Sequence, residues 1–411
     1  MNQNNALKVL SIPSYRFFLA TRLFLTFGLQ MQAVIIGWEV YKISNDALSL
    51  GLVGLAEAIP AISIALYAGH IADVYNRKTI LQVSLLFIIL STIGLYAALE
   101  NLLPGNNSLI WVYTFICVSG FARGFYAPAS FATISQLVPR DMLTYAGTLN
   151  STVWQFAAVI GPAIGGFAYA YQGLGGSFLL ILVFSMIAFF SISQIKIRFE
   201  PTILKGEKII ERLKAGVAFV YHNKIVFSAL SLDLFSVLFG GATALLPIFA
   251  NEILNTGPEG LGLLRAAPSV GAVLMMTYLS LSKNLQKPGI ILLRAVAAFG
   301  LCMLLFGIST NFYLSLILLS LSGAFDSISV VVRSNILQLH TPDEMRGRVS
   351  AVNTIFIGSS NEIGAFESGV AAKILGAANA VIFGGCMTLG IVAFTHIKAH
   401  SLKKLSFDQE T

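Results

Sequence analysis

Arg22, Arg123, Asp233, Asp326, Arg333 and Glu362 stand inside long stretches that are otherwise almost free of charge. An ion at bilayer depth costs about 2.5–3.5 kcal/mol on insertion scales, so it is either paired or used. In a low-dielectric cavity a carboxyl is neutral or ionised according to its burial and the nearness of a guanidinium. Separating such a pair, or admitting water, shifts that balance. Asp233, Asp326 and Glu362 are therefore candidate proton carriers, with Arg123 as a tuning charge. The other reading is a fixed buried ion pair that keeps helices in register. For Arg22 and Arg333, near the ends of their stretches, snorkelling to the surface competes with an internal role.

Polar and aromatic residues accompany these ions. Gln30 lies two helical turns from Arg22, and Tyr126 is three residues from Arg123; Asn150, Trp154 and Gln155 share one stretch, Asn353 and Asn361 another. An apolar chamber with a few such groups suits an amphipathic organic molecule. Metal and cofactor chemistry finds little support. All five histidines (His70, His222, His340, His396, His400) fall at stretch ends, and Cys117, Cys302 and Cys386 are scattered without metal-ligand spacing. No G-x-x-x-x-G-K-[ST] occurs, which argues against a nucleotide-driven pump. The residues imply neither an enzyme nor a cofactor.

The elements that must hold these side chains are membrane helices. The chain is 56% hydrophobic and 11% charged over 411 residues, with mean hydropathy +0.79, whereas a soluble domain is about a quarter charged. Hydropathy yields twelve spans: 17–41, 50–72, 79–99, 109–136, 143–170, 176–195, 225–250, 260–282, 289–310, 312–337, 348–371 and 377–397. The first is too long for a signal-peptide core and contains Arg22 and Gln30. With both termini cytoplasmic, 19 of the 26 Lys and Arg residues fall in the tails or even-numbered loops. That asymmetry is the positive-inside pattern, and it accounts for the net charge of +7 without nucleic acid.

The longest hydrophilic stretch, 196–224, divides a six-helix half (1–195) from another (225–411). Its Ile209, Ile210, Leu213, Val217 and Val220 recur at helical spacing, so it is expected to lie partly as an amphipathic helix on the membrane surface. The halves resemble each other. SGFAR (119–123) aligns with SGAFD (322–326) at an offset of 203, which also pairs Pro139 with Pro342, Asn150 with Asn353 and Gly161 with Gly364. GLAEAIP (54–60) aligns with GLLRAAP (262–268), so Glu57 corresponds to Arg265. Such duplicated units, related by an axis along the membrane normal, bind substrate between them in many transporters.

GHIADVYNRK (69–78) resembles the loop 2–3 signature of the major facilitator superfamily, G-x-L-a-D-r-x-G-R-K. Gly69, Asp73, Arg77 and Lys78 match; Val74 and Asn76 depart from it. GPAIGG (161–166) resembles that superfamily's helix-5 antiporter motif, with Ala157 replacing its first Gly. Arg123 stands where the helix-4 motif has a buried Arg. The segments FYAPASFATISQLVPRDMLTYAGTLNS and LQLHTPDEMRGRVSAVN resemble the branch that contains the bacterial enterobactin exporter.

The resemblance implies an all-α membrane protein with two six-helix bundles, sited in a bacterial inner membrane and complete as a monomer. It implies export of a siderophore-like compound or a drug by proton antiport, with protons, substrate and lipid as its only partners. An importer or facilitator on the same fold is the alternative. It also implies a gate. Asp73, steadied by Arg77 one turn on, would bond the start of the eleventh helix and close the cytoplasmic side. Against this stands a solvated loop serving only topology, the reading given to Lys78. Gly161, Pro162 and Gly165 are either part of the gate or plain small-residue packing.

Overall fold

The structure is a computed structural model. It describes residues 8–105, 107–196, 209–281, 287–403 and 405; the side chains of 65, 66, 73, 209–213, 343, 351, 354, 355, 359, 400 and 401 lie outside the description. Among the described residues every regular element is helical. The long helices are α1 (Pro13–Ser44), α2 (Ala47–Val74), α3 (Arg77–Leu99), α4 (Ser108–Leu137), α5 (Leu143–Ser193), α6 (Ile209–His222), α7 (Lys224–Gly240), α8 (Gly257–Leu281), α9 (Pro288–Ile308), α10 (Phe312–Leu339), α11 (Asp343–Leu375) and α12 (Ala377–Lys398).

Asparagine sets several helix boundaries. Asn45 ends α1 in the left-handed conformation (φ 47°), its N–H donating to the Tyr41 carbonyl. Asn76, Asn223 and Asn311 begin α3, α7 and α10, each side chain accepting a backbone N–H of the first turn. Asn76, the departure from the loop signature, is thus an N-cap.

Among the described residues, ten helices are long and apolar enough to cross a membrane. Two features separate that number from the twelve expected. The expected fifth and sixth spans run on as α5, whose 51 residues would extend about 75 Å, more than twice the bilayer's hydrocarbon core. The two spans meet at Gly173, whose φ of 66° and ψ of −167° only glycine adopts readily. Helix α11 is long enough but carries too many polar residues to qualify on composition. The expected seventh span also differs: α7 stops at Gly240, and the chain continues through a 3-10 turn, the helical turn Leu246–Ile248 and a π-helical turn (Phe249–Ile253). Pro247, which lacks a backbone donor, falls in this break.

The chain forms two compact units. Unit 1 is Met1–Asn45, Leu55–Lys205 and Gly257–Ala266; unit 2 is Asp46–Gly54, Gly206–Thr256 and Ala267–Thr411. In unit 1, α1 lies along α5. A Cβ on Gly161 would stand 2.8 Å from Gln30 Cβ, and one on Gly165 2.8 Å from Met31 Cα. Pro162 is buried beside them. Gly166 faces the start of α8, where its Cβ would be 2.9 Å from Gly262 Cα. Gly161 and Gly165, one turn apart on one face of α5, therefore hold α1, and Gly166 holds α8. Tyr15 fastens the same helices at the other end by donating to the Ala146 carbonyl at 2.6 Å.

In unit 2, Gly364, the repeat counterpart of Gly161, lies against α7, and Gly369 lies against Ala47 and Gly51 of α2. The repeat is also kept where α2 meets α4 and α8 meets α10: Gly120 lies on the Glu57 backbone and Gly323 on that of Pro268. Helix α6 is seated on α7 and α11. Val220 is buried with Val226, Leu230, Val349 and Val352, while Val217 is exposed. Residues 197–208 of the hydrophilic stretch lie outside the described residues.

These contacts separate two kinds of glycine. Gly166→Val should lower the melting temperature of the detergent-purified protein, because the new methyls meet backbone that cannot move aside. Gly147→Ala, at a helical position with nothing within 4 Å, should raise stability by about 0.5–1 kcal/mol. Equal melting temperatures for both variants would contradict the packing described.

Candidate functional site

Among the described residues, an internal ion pair is built on a helix crossing in each unit. In unit 1, Glu57 of α2 pairs with Arg123 of α4. Gly120, one turn before Arg123, lets the two backbones approach closely enough for the pair to form. Both side chains stay partly exposed, at 42% for Arg123 and 30% for Glu57. In unit 2, Asp233 of α7 pairs with Arg333 of α10. This pair is buried, with Asp233 7% and Arg333 3% exposed. Arg333 therefore does not snorkel: its guanidinium turns inward to Asp233, because a buried carboxylate offers a stronger partner than a distant surface.

Arg22 and Asp233 lie on corresponding helices of the two halves, α1 and α7, and the offset of 203 places Ser130 where unit 2 has Arg333. Arg22 finds no carboxylate partner among the described residues, and its Nε is buried without a hydrogen bond. Its charge is within electrostatic reach of Tyr126, whose buried hydroxyl lies beside Ser130. Asn150 and its repeat counterpart Asn353 both bury an unbonded Oδ1. The two units thus keep these asparagines, while Ser130 leaves unit 1 without a counterpart of Arg333.

The remaining residues are dispersed. Asp326 lies half-buried on α10, with no cationic partner among the described residues. Glu362 lies on α11 beside α2, its Oε2 3.2 Å from where a Gly54 Cβ would be. Asn361 is exposed and donates to the Ile357 carbonyl of its own helix at 2.8 Å. Gln30 touches Gly161; Trp154 is 41% exposed and Gln155 half-buried.

At the turn between α2 and α3, the Asp73 side chain lies outside the description. Arg77 donates to the Ala72 carbonyl at 3.0 Å and to the Ala132 carbonyl at 2.8 Å. Lys78 donates to the Ser193 carbonyl at 2.6 Å. Lys78 is therefore more than a topological charge, since it caps the C-terminal end of α5, where a cation is favoured. Gly69 has nothing within 4 Å of a Cβ position, so no close approach requires it.

A cavity of about 760 Å³ opens inside unit 2 between α10 and α11, with Arg333 and Asn353 in its wall. Polar groups are thus gathered beside a buried ion pair in helices that cross lipid. Among the described residues no cluster of His, Cys, Asp and Glu has the make-up of a metal site.

The buried pair has a clear energetic signature. Asp233→Asn leaves a guanidinium buried without its counter-charge and should destabilise the protein by about 3–5 kcal/mol. Asp233→Asn combined with Arg333→Met should recover most of that loss. Chemical unfolding in detergent measures both, and a double variant no more stable than the single one would refute the pairing.

The sequence profile of a family described as transmembrane secretion effector matches residues 5–410. The enterobactin exporter of Shigella boydii serotype 18 is 25% identical over 399 residues, covering 95% of this chain and 94% of that protein. That of Escherichia coli O1:K1 is 24% identical over the same span. A bacterial homologue of the iron transporter ferroportin, in an inward-facing state, superposes with a TM-score of 0.72 at 13% identity, covering 95% of this chain and 99% of its own. A D-xylose–proton symporter gives 0.71 at 12% identity, covering 93% and 96%. These structures share the fold. Repeated halves, glycine-sealed crossings and ions held at membrane depth agree with a profile that spans the whole length. The chain belongs to the transmembrane secretion effector family of the major facilitator superfamily and is a multi-pass membrane transporter, not an enzyme.

Proposed function

We propose that this transporter exports a small amphipathic organic molecule across the bacterial inner membrane by proton antiport, with both termini cytoplasmic and the chain acting as a monomer. Siderophore-like compounds come first and drugs second. Similarity to enterobactin exporters along 95% of the chain is the observation that supports direction and substrate class.

Coupling needs an acid that gains a proton in one state and loses it in another. Asp326 is the leading carrier. Without a cationic partner among the described residues, its charge is neutralised most simply by a proton. Asp233 and Glu362 are secondary carriers, the first tied to Arg333. Arg123 serves as a counter-charge through Glu57. Arg22, Gln30, Tyr126, Asn150, Trp154, Gln155, Asn353 and Asn361 supply the substrate contacts, with Arg22 foremost because its buried Nε lacks a hydrogen bond. Asp73 and Arg77, with Gly69, work the cytoplasmic gate; Gly161, Pro162 and Gly165 form the stiff seam about which the bundle moves. Alternating access exposes the acids to each side in turn.

Proteoliposomes test the reading. A catecholate or hydroxycarboxylate siderophore, or a cationic dye, should accumulate in the lumen when the lumen is the acidic side. Asp326→Asn should abolish accumulation driven by the gradient and keep substrate exchange at equal pH. If no compound moves under either polarity, export fails; if accumulation ignores the gradient, antiport fails.

A further inference from the structure

We infer that the cavity between α10 and α11 is a binding site for an oxyanion that carries hydroxyl groups. It lies wholly inside unit 2 and measures about 760 Å³, room for a small organic acid. Arg333, Arg346, Asn335, Gln338, Thr341 and Asn353 contribute to its wall, and no Asp or Glu does so among the described residues. The wall therefore presents positive and neutral hydrogen-bonding groups without a competing negative one.

Three wall groups are specific about the ligand. Arg333 is 3% exposed and spends one edge on Asp233. A guanidinium has five N–H donors, so donors are left for an oxyanion. Thr341 is 4% exposed, and its hydroxyl is buried without a hydrogen bond. Asn353 buries an unbonded Oδ1, which can only accept. A carboxylate or phosphate answers Arg333 and the Thr341 proton. It leaves Asn353 Oδ1 unanswered, and that atom calls for a donor such as a hydroxyl. A cation would meet two guanidinium groups, and an apolar compound would leave both orphaned atoms buried. A free hydroxycarboxylate and a phosphatidylglycerol headgroup share the required chemistry.

The inference deepens the transporter reading by giving its cargo, or a bound lipid, an acid group. It is tested without any gradient, so the two can fail separately. Titration calorimetry on the full chain in neutral detergent compares citrate with tricarballylate, which lacks only the hydroxyl. Citrate should bind about tenfold tighter, since a site built around a hydroxyl rejects its absence. Asn353→Leu should erase that difference, and Thr341→Val should weaken both ligands. Asp233→Asn with Arg333→Met, which removes the cation without stranding a charge, should abolish binding while a melting curve reports a folded protein.

Nanodiscs of phosphatidylglycerol, against phosphatidylcholine, separate the sources. Loss of citrate binding in phosphatidylglycerol alone assigns the site to a lipid headgroup and supports the oxyanion site. Citrate binding unchanged by all three variants would overturn the inference. So would the absence of binding by citrate, together with equal melting temperatures in the two lipids. Transport of a siderophore by a protein that fails these tests would leave the transporter reading intact.

Discussion

Close approach between helix backbones is the contact on which the other features depend. Lipid tails are as apolar as leucine, so burying leucine between two membrane helices yields little, and association rests on van der Waals fit and internal hydrogen bonds. Glycine supplies the fit. Gly161, Gly165 and Gly166 bring α5 against α1 and α8, and Gly120 brings α4 onto the Glu57 turn of α2. Without that last contact Arg123 and Glu57 would stand a side chain too far apart to pair. The small residues thus determine which charges meet, and the charges in turn determine what the site can do.

The repeat shows how one scaffold supports two different interiors. Gly120 and Gly323 occupy the same position in SGFAR and SGAFD, and both remove a side chain from a helix crossing. The ionisable residues around them did not stay fixed. Unit 2 has the closed pair Asp233–Arg333, whereas unit 1 has Ser130 at the place that matches Arg333 and Arg22 within reach of Tyr126. Glu57 and Arg123 are matched in sequence by Arg265 and Asp326, with both signs reversed. Packing constrains shape at a crossing and is indifferent to the sign of a charge beside it. Function is free to differ between halves that fold alike.

The turn between α2 and α3 shows the same economy. Arg77 and Lys78 satisfy the Ala72 and Ser193 carbonyl oxygens at the ends of α2 and α5, groups that a helix leaves without partners, and Arg77 also reaches the Ala132 carbonyl of α4. Residues that orient the chain during insertion also close helix ends in the folded protein. Asn76 adds a cap at the start of α3, so the turn is held from both sides without the glycine that the loop signature has there.

Much of this protein could be read from its sequence, because a bilayer makes each helix satisfy its own backbone. Apolar length marks the spans, Lys and Arg gather in alternate loops, and repeated segments mark the duplication; all are local properties. The motifs at 69–78 and 161–166 identified the superfamily for the same reason. Pairing of charges is not local. From spacing, Arg333 shares a face with Asp326, yet it bonds Asp233 a hundred residues away, since that carboxylate is the one buried across the α7–α10 crossing. Arg123 was legible as an internal charge, but its partner Glu57 depended on how closely Gly120 lets two helices meet. The cavity beside Arg333, and the orphaned atoms of Thr341 and Asn353 in its wall, also required the fold. Sequence fixes which groups enter the membrane, and tertiary packing alone decides which are left without a partner there.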